Sequence, residues 1–517
     1  MTEMTKWLPL NTAQSRIIRN FTPDELLNWR LTTVVEIVDS LTPDQAEAAL
    51  VHLAARHEAL RSRLSLDPSG IIVQEVLPPQ DAKSVMRWHV VAETRFDASD
   101  QRFWQEDQMD PWSHAFHATT YVVDGAVSAI KLTVSHAFTD RMGIQIIENE
   151  LRGITRGDVE PAPHPRQASA YALSPSHPEV VQNTKFWCDL LSMAPRACTY
   201  APVPREEVEA VPCVELRLLD DFLKQIDQAA SKLRTTASCI WTAAISVVAE
   251  GLSGQHRQVF KTTTANRISP EDFTVVAELA QVIFIPLDGS PDDTLRRRVE
   301  LATEASFAMF ERGTYDANSV LDHFNVGPGF GGMLLHPAFE WHYIPITYHP
   351  GFTTATEPRV FEEMTRIDMP SGRSDLQVSL AHDPDPVLEI RARRPISEER
   401  SPDSLLTDLL RTIELICASP DEPVKSAGIS ALPSRAHLTT GHHSGAAISL
   451  VATRMLILGI TGVAACDLRI SDTDGRLHAN LQLRAGTDRT RIMDEIRAAQ
   501  MWAHGTAVPD EYVFNLI

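Results

Sequence analysis

At 517 residues the chain is too long for one ordinary hydrophobic core, so about two to four domains are expected. Hydrophobic residues at 43% and charged residues at 22% fit a soluble globular protein, and no apolar run reaches the roughly 18 residues that span a membrane. A net charge of −21, with no Lys/Arg-rich run to offset it, argues against nucleic acid or another polyanion as a partner.

The six cysteines (Cys188, Cys198, Cys213, Cys239, Cys417, Cys466) stand singly, so neither a zinc site nor a disulfide framework is read. The start, Met1-Thr-Glu-Met-Thr-Lys-Trp7, has no basic region leading into an apolar core. The cytoplasm is the expected compartment.

Leu41-Thr-Pro-Asp-Gln45 reads as a capped helix start, with Thr42 as N-cap, Pro43 in the first turn and Asp44 near the positive end. Apolar residues then recur at helical spacing through Leu64. Ile71 to Val76 reads as a strand. The alternating runs Thr119 to Val123 and Val127 to Val134 flank Asp124-Gly125, the pattern of a hairpin turn. Ile144, Ile146, Ile147 and Leu151 suit a buried helix face. Pro161 to Pro178 is a Pro- and His-rich connector.

Helical patterns return around Thr184 to Leu191 and from Thr235 to Gly251, and strand-like runs follow at Gln258 to Thr263, Val282 to Leu287 and Trp341 to Tyr348. Leu376 to Leu380 and Val387 to Ala392 flank Asp383-Pro-Asp-Pro386, a second hairpin. Asp403 to Cys417 reads as a helix and Ser419 to Pro433 as a linker. In the tail, Ile448 to Leu458 reads as a helix, Val463 to Ser471 and Leu477 to Leu483 as strands around the turn Asp472-Thr-Asp-Gly475, Arg489 to Ala499 as a helix and Tyr512 to Ile517 as a strand.

The stretch that carries chemistry is Lys131-Leu-Thr-Val-Ser-His-Ala-Phe-Thr-Asp140, followed by Arg141-Met-Gly143. It places His136 where a strand stops and the chain bends. A strand end holds a side chain firmly and leaves it reachable, which suits a base. Histidine fits the role because its reference pKa of about 6.5 leaves it largely neutral at physiological pH.

Arg56-His-Glu-Ala-Leu-Arg-Ser-Arg-Leu64 resembles the Arg-His-Glu-x-Leu-Arg-Thr-x-Phe signature of condensation domains from non-ribosomal peptide synthetases. Leu10-Asn-Thr-Ala-Gln14 resembles their opening Leu-Ser-x-Ala-Gln. Ser135-His-Ala-Phe-Thr-Asp-Arg141 matches two of the four fixed positions of their His-His-x-x-x-Asp-Gly motif. Tyr171-Ala with Phe186-Trp187 resembles the bridge between their halves, Ala265-Asn-Arg267 a small-x-Arg element, and Val282-Ile-Phe-Ile-Pro-Leu287 a buried strand of their tunnel. Phe339 to Ile346 and Ser374 to Leu380 resemble two later strands, and the likeness runs in order over about residues 6 to 432.

The resemblance implies an α/β (α+β) fold: two lobes like chloramphenicol acetyltransferase in a V-shaped pair, with a small α-β-β-α-β domain after them. The expected divisions are residues 1–165 and 166–433 for the lobes and 434–517 for a ferredoxin-like tail. That tail resembles the small C-terminal subdomain of adenylation enzymes, and Val508-Pro-Asp-Glu-Tyr-Val-Phe514 fits its late region. The Gly-Lys catalytic segment and the large adenylation core are both absent, so adenylation is not expected.

By the same resemblance His136 accepts or orients the acceptor's proton, and Asp140, named with it as catalytic, braces the loop against Arg267. Ser135, Arg267 and Arg61 are support residues, and Arg141, Gly143, Trp341 and Tyr343 are expected to contact substrate. Two positions depart from the family pattern. Ser135 replaces the first His, a structural position. Arg141 replaces a Gly, and three readings stay open for it: solvent exposure, a contact to an acceptor carboxylate, or obstruction of the channel.

The implied activity is a stand-alone condensation enzyme. It moves an acyl or aminoacyl group from a carrier-protein phosphopantetheine thioester to an amine, or less favourably a hydroxyl. The partners are an acyl or peptidyl carrier protein and a small-molecule or carrier-bound acceptor, with no bound cofactor, metal, nucleic acid or membrane. A degenerate docking platform and a coenzyme A-dependent acyltransferase are the alternatives; the Asp-Phe-Gly-Trp-Gly element of plant-type enzymes is not found, which weighs against the second.

Other candidates carry less. Gly327-Pro-Gly-Phe-Gly-Gly332 lacks the Lys-Ser/Thr of a phosphate loop. His442-His443 lies in a turn-like stretch without metal-ligand spacing. His336, His342 and His349 surround Trp341 and Tyr343 and read as strand-edge packing ahead of the alternative, lining of the tunnel, and Asp383-Pro-Asp-Pro386 reads as a turn.

Overall fold

The computed structural model describes residues 4–516 apart from 22, 39, 93–96, 98–107, 158–164, 194–207, 254–255, 324–338, 348–356, 367–375, 384–385, 393–395, 430–439, 444–445, 459, 461, 472–475 and 501–507. The Gly327 to Gly332 loop, His336, His349 and the Asp472 to Gly475 turn lie outside the described residues.

The first lobe contains strands β1 (Lys6–Pro9), β2 (Arg30–Glu36), β3 (Ser62–Leu66), β4 (Ile72–Val76), β5 (Met86–Ala92), β6 (Phe116–Val123) and β7 (Ala126–Ser135). They form two sheets, β1-β4-β3 and β2-β7-β6-β5. The β6–β7 hairpin turns at Asp124 (φ 51°) and Gly125 (φ 77°). Two consecutive positive φ values define the turn that matches strand twist, and Asp-Gly is the pair that tolerates them. Its helices are α1 (Thr12–Asn20), α2 (Pro23–Asn28), α3 (Pro43–Arg56) and α4 (Arg141–Arg156). Helix α3 starts as its sequence predicts, with a Thr42–Gln45 capping box. Leu50 and Leu53 of α3 and Ile144, Ile147 and Leu151 of α4 pack with Ile130, Leu132 and Val134 of β7.

The helix expected through Leu64 ends at Arg56. Glu58 is buried, bound by Lys6 Nζ (2.8 Å) and the Ser169 backbone N–H (3.0 Å), so its segment makes a short turn. The chain then pairs as β3 with β4, and period-two burial of Ser62 and Leu64 replaces the helical period.

The second lobe carries α5 (Pro178–Met193), β8 (Val208–Arg217), α6 (Asp220–Leu233), α7 (Ala237–Ser253), β9 (Arg257–Thr264), β10 (Gln281–Asp288), α8 (Leu295–Phe310) and α9 (Ala317–His323). It continues with β11 (Phe339–Thr347), β12 (Arg359–Arg366), β13 (Leu376–Asp383), β14 (Val387–Ala392), α10 (Ile396–Glu399) and α11 (Pro402–Ala418). The sheet is seven-stranded, in the order β10-β9-β11-β13-β14-β8-β12. Trp241 and Val248 of α7, Val299 of α8 and Leu409 and Ile413 of α11 pack with Phe260, Ile285, Trp341, Val378 and Ile390 of the sheet.

The stretch expected as a linker from Ser419 belongs to this lobe at least to Gly428. The Leu295 backbone N–H donates to Glu422 (2.9 Å), Val424 N–H donates to Asp293 (2.9 Å), and Val424 and Ala427 are buried in the lobe core. Beyond it, β15 (Thr440–His443) pairs with β16 (Ala446–Ser449), so His442 and His443 lie on a strand instead of the expected turn. The tail continues as α12 (Leu450–Leu458), β17 (Val463–Ile470), β18 (Leu477–Leu483), α13 (Arg489–Gln500) and β19 (Glu511–Leu516). Ile457, Cys466, Leu481, Ile492 and Ile496 form a separate core there. Among the described residues no single helix is long and apolar enough to cross a membrane.

Candidate active site

His136 follows the last residue of β7, and three contacts set its ring. Its backbone N–H donates to Trp29 (2.9 Å), its ring stacks on the Trp29 indole (centroids 5.2 Å apart, planes at 15°), and its Nδ1 lies 2.7 Å from Glu278 Oε2. The side chain keeps 19% exposure, whereas that of Glu278 has none. The imidazole is therefore reachable on one side and held on the other.

The opening Leu10 to Gln14 segment supports this arrangement. Asn11 caps α1, and its Nδ2 donates to the Glu278 carbonyl (2.9 Å), while Gln14 Nε2 donates to the Ala137 carbonyl (2.9 Å). Ser135 is buried, and its Oγ accepts from the Ala137 N–H (3.3 Å), which secures the bend after β7.

Asp140 faces away from solvent into the second lobe. Its two oxygens take a forked pair of bonds from Arg267 Nη1 (2.7 Å) and Nη2 (2.9 Å), with neither side chain more than 3% exposed. The same carboxylate accepts from the Gly143 N–H (2.9 Å), capping α4, and from the Leu279 N–H (3.1 Å). Arg267 also donates to the Val275 carbonyl (3.1 Å). Asp140 is thus occupied on both oxygens, and it braces the loop that carries His136.

Gly143 is buried. A Cβ there would come 2.1 Å from Thr139 Oγ1 and 3.5 Å from the Ala277 nitrogen, so the missing side chain permits close packing. Arg141 is the first residue of α4 and is partly buried.

Trp341, expected at the substrate, is buried. It lies in the second-lobe core, stacked on Trp241 (5.9 Å) and beside Tyr343 (6.1 Å). Alternation along β11 puts these two on the helix-covered face and turns Glu340 and His342 to the other. There Glu340 meets Lys261 Nζ (2.8 Å) and His342 Nε2 (2.7 Å). Lys261 and His342 hold the Glu340 carboxyl at about 2 despite its burial.

Arg61 is buried and donates to the Leu77 carbonyl. The neighbouring Arg56 and His57 bind Glu150 of α4 (3.0 and 2.8 Å). Tyr171 and Arg166, from the connector, both reach Asp272. Although burial opposes it, hydrogen bonds from Tyr171 and from the Ser269 and Ile268 N–H groups hold Asp272 at about 2. Among the described residues no group of three metal-ligating side chains is placed to hold an ion.

Two residues of the site escaped the sequence reading, Trp29 and Glu278. The signal for Glu278 was a lone acid inside the run Val275 to Leu279, all of which is buried.

The fold, with its two acetyltransferase-like lobes, presents a reachable imidazole at a strand end and a cation-braced Asp four residues on. The chain belongs to the condensation-domain family, whose model matches residues 4–328. That family performs acyltransferase-type condensation. Many solved structures share the fold, three of them as follows. The condensation domain of the Monacolin K polyketide synthase MokA is 14% identical, covering 82% of this chain and all of that one, with a TM-score of 0.64. The first condensation domain of the calcium-dependent antibiotic synthetase, in complex with a substrate analogue, is 14% identical over 81% of this chain and 98% of that one, at 0.57. The SgcC5 protein from Streptomyces globisporus is 16% identical over 80% of this chain and all of that one, at 0.56. No curated protein matches the sequence.

Proposed function

We propose that this protein transfers an acyl or aminoacyl group from the phosphopantetheine thioester of a carrier protein to an amine acceptor, with a hydroxyl the less favoured nucleophile. The observation that supports it most is His136, anchored through Nδ1 and partly exposed, which leaves Nε2 for the acceptor. The acceptor's lone pair attacks the thioester carbonyl while Nε2 takes the acceptor's proton. The tetrahedral adduct then collapses, the C–S pair leaves with sulfur, and the same proton goes to the thiolate. A thioester is already activated, so positioning and one proton acceptor suffice.

His136→Ala should keep the fold and lower transfer about 100-fold or more, the usual scale of acid–base assistance. Intact mass spectrometry of loaded carriers, with and without enzyme and acceptor, measures it. A well-folded variant that transfers at the wild-type rate would remove His136 from the mechanism.

A further inference from the structure

Glu278 is an expensive residue to keep where it is. Its side chain has no exposure, and among the described residues only one of its oxygens is used: Oε2 meets His136 Nδ1 at 2.7 Å, while Oε1 is buried with no hydrogen-bond partner among them. A buried acceptor left unsatisfied is destabilising, and more so when charged. Burial lifts the carboxyl above its ordinary range, and the nearby Asp140 charge adds to that. His136 and Arg16, from α1, pull the other way. Arg267 neutralises part of Asp140.

Nor does Glu278 sit there by slack. Its carbonyl is held by Asn11, the preceding Ala277 carbonyl accepts from the Asp140 N–H (3.2 Å), and the following Leu279 N–H is held by Asp140. The backbone is pinned on three consecutive residues. A Gln would fit the same space without a buried charge, so packing alone does not call for a carboxylate.

We propose that Glu278 is the positioning residue for His136. It accepts the Nδ1 proton, fixes the neutral tautomer whose Nε2 lone pair faces the acceptor, and balances the positive charge that forms when Nε2 takes the acceptor's proton. The Nδ1 proton stays on the ring throughout, and Glu278 neither gains nor loses one. The base and its counter-charge thus come from different lobes, 142 positions apart in sequence.

This rests on the acyl-transfer reading above, and the test separates the two. Glu278→Gln and Glu278→Asp are compared with wild type and His136→Ala by transfer rate against pH, by thermal melting, and by nitrogen-15 NMR of the imidazole resonance that His136→Ala removes. Glu278→Gln should transfer about 100-fold more slowly, move the acidic limb of the pH–rate profile to lower pH, and shift the ring toward its Nε2–H tautomer. It should melt at or above the wild-type temperature, because it removes a buried charge. Glu278→Asp, which keeps the carboxylate, should recover part of the rate and the wild-type limb.

An unchanged tautomer and an unchanged acidic limb in Glu278→Gln would overturn the proposal, as would a lower melting temperature in Glu278→Gln with the tautomer intact, which marks a packing residue. The tautomer is read without substrate. If His136→Ala transfers normally while the tautomer still answers to Glu278, the acyl-transfer reading falls and the pairing stands.

Discussion

Asp140 holds four hydrogen bonds that cross or cap at once: two from Arg267, one from the first turn of α4 and one from Leu279. Removing it strands a guanidinium with no side-chain exposure. Breaking one side of a buried pair costs about 3–5 kcal/mol. Asp140→Ala should therefore lower the melting temperature by several degrees and abolish transfer together, and denaturant unfolding measures the first. An unchanged midpoint would show that the brace carries no load. At this scale the sequence was partly legible. His136, Asp140 and Arg267 stand at spacings that a motif fixes, whereas Glu278 and Trp29 reach His136 only through tertiary packing. The packing of Trp341 on Trp241 was not legible for a related reason: two aromatics on a strand point to one face, and pattern alone does not say which face is covered.

The hairpin that delivers His136 is an element whose geometry follows from two residues. Asp124 and Gly125 both take left-handed backbone angles, and β6 and β7 pair from Phe116↔Val134 to Val123↔Ala126. A Cβ at position 125 meets nothing within 4 Å, so the strain of Gly125→Ala is purely conformational. It should cost about 1–2 kcal/mol, the usual penalty of a left-handed non-glycine residue. Urea unfolding would read this as a lower midpoint with an unchanged slope, and equal midpoints would mean that the turn relaxes into another form. This hairpin, the Thr42 cap and the buried face of α4 were readable because their causes are local. The end of α3 and the role of Ser419 to Gly428 were not, since Glu58 and Val424 are committed to partners far along the chain.

Across the whole molecule, two carboxyls hold opposite ends of the second lobe's organisation. Asp272 ties the connector through Tyr171 and Arg166, and Glu340 joins β11 to β9 through Lys261. Both are held at about 2, below their ordinary values of 3.8 and 4.5. A carboxyl depressed on folding stabilises the folded state above its unfolded value and loses that contribution as pH falls through the folded value. Glu278 has the opposite sign, since its raised value favours the folded state on acidification. The Glu278 contribution changes above its ordinary value of 4.5, so below that the depressed carboxyls, Glu58 and Glu150 among them, set the sign, and stability should fall between about pH 4.5 and 2. Melting followed by near-ultraviolet circular dichroism over that range measures it, and a flat profile would contradict the assignment.

The joint between the lobes has a further meaning. His136 and Asp140 belong to one stretch, and Glu278 and Arg267 to another, so the two ties across the joint are separated by four residues on one side and eleven on the other. Any movement that parts the lobes there pulls on both ties together. If His136 and Glu278 act as proposed above, the ring would lose its counter-charge as the brace opened, and transfer should require both stretches to be seated together.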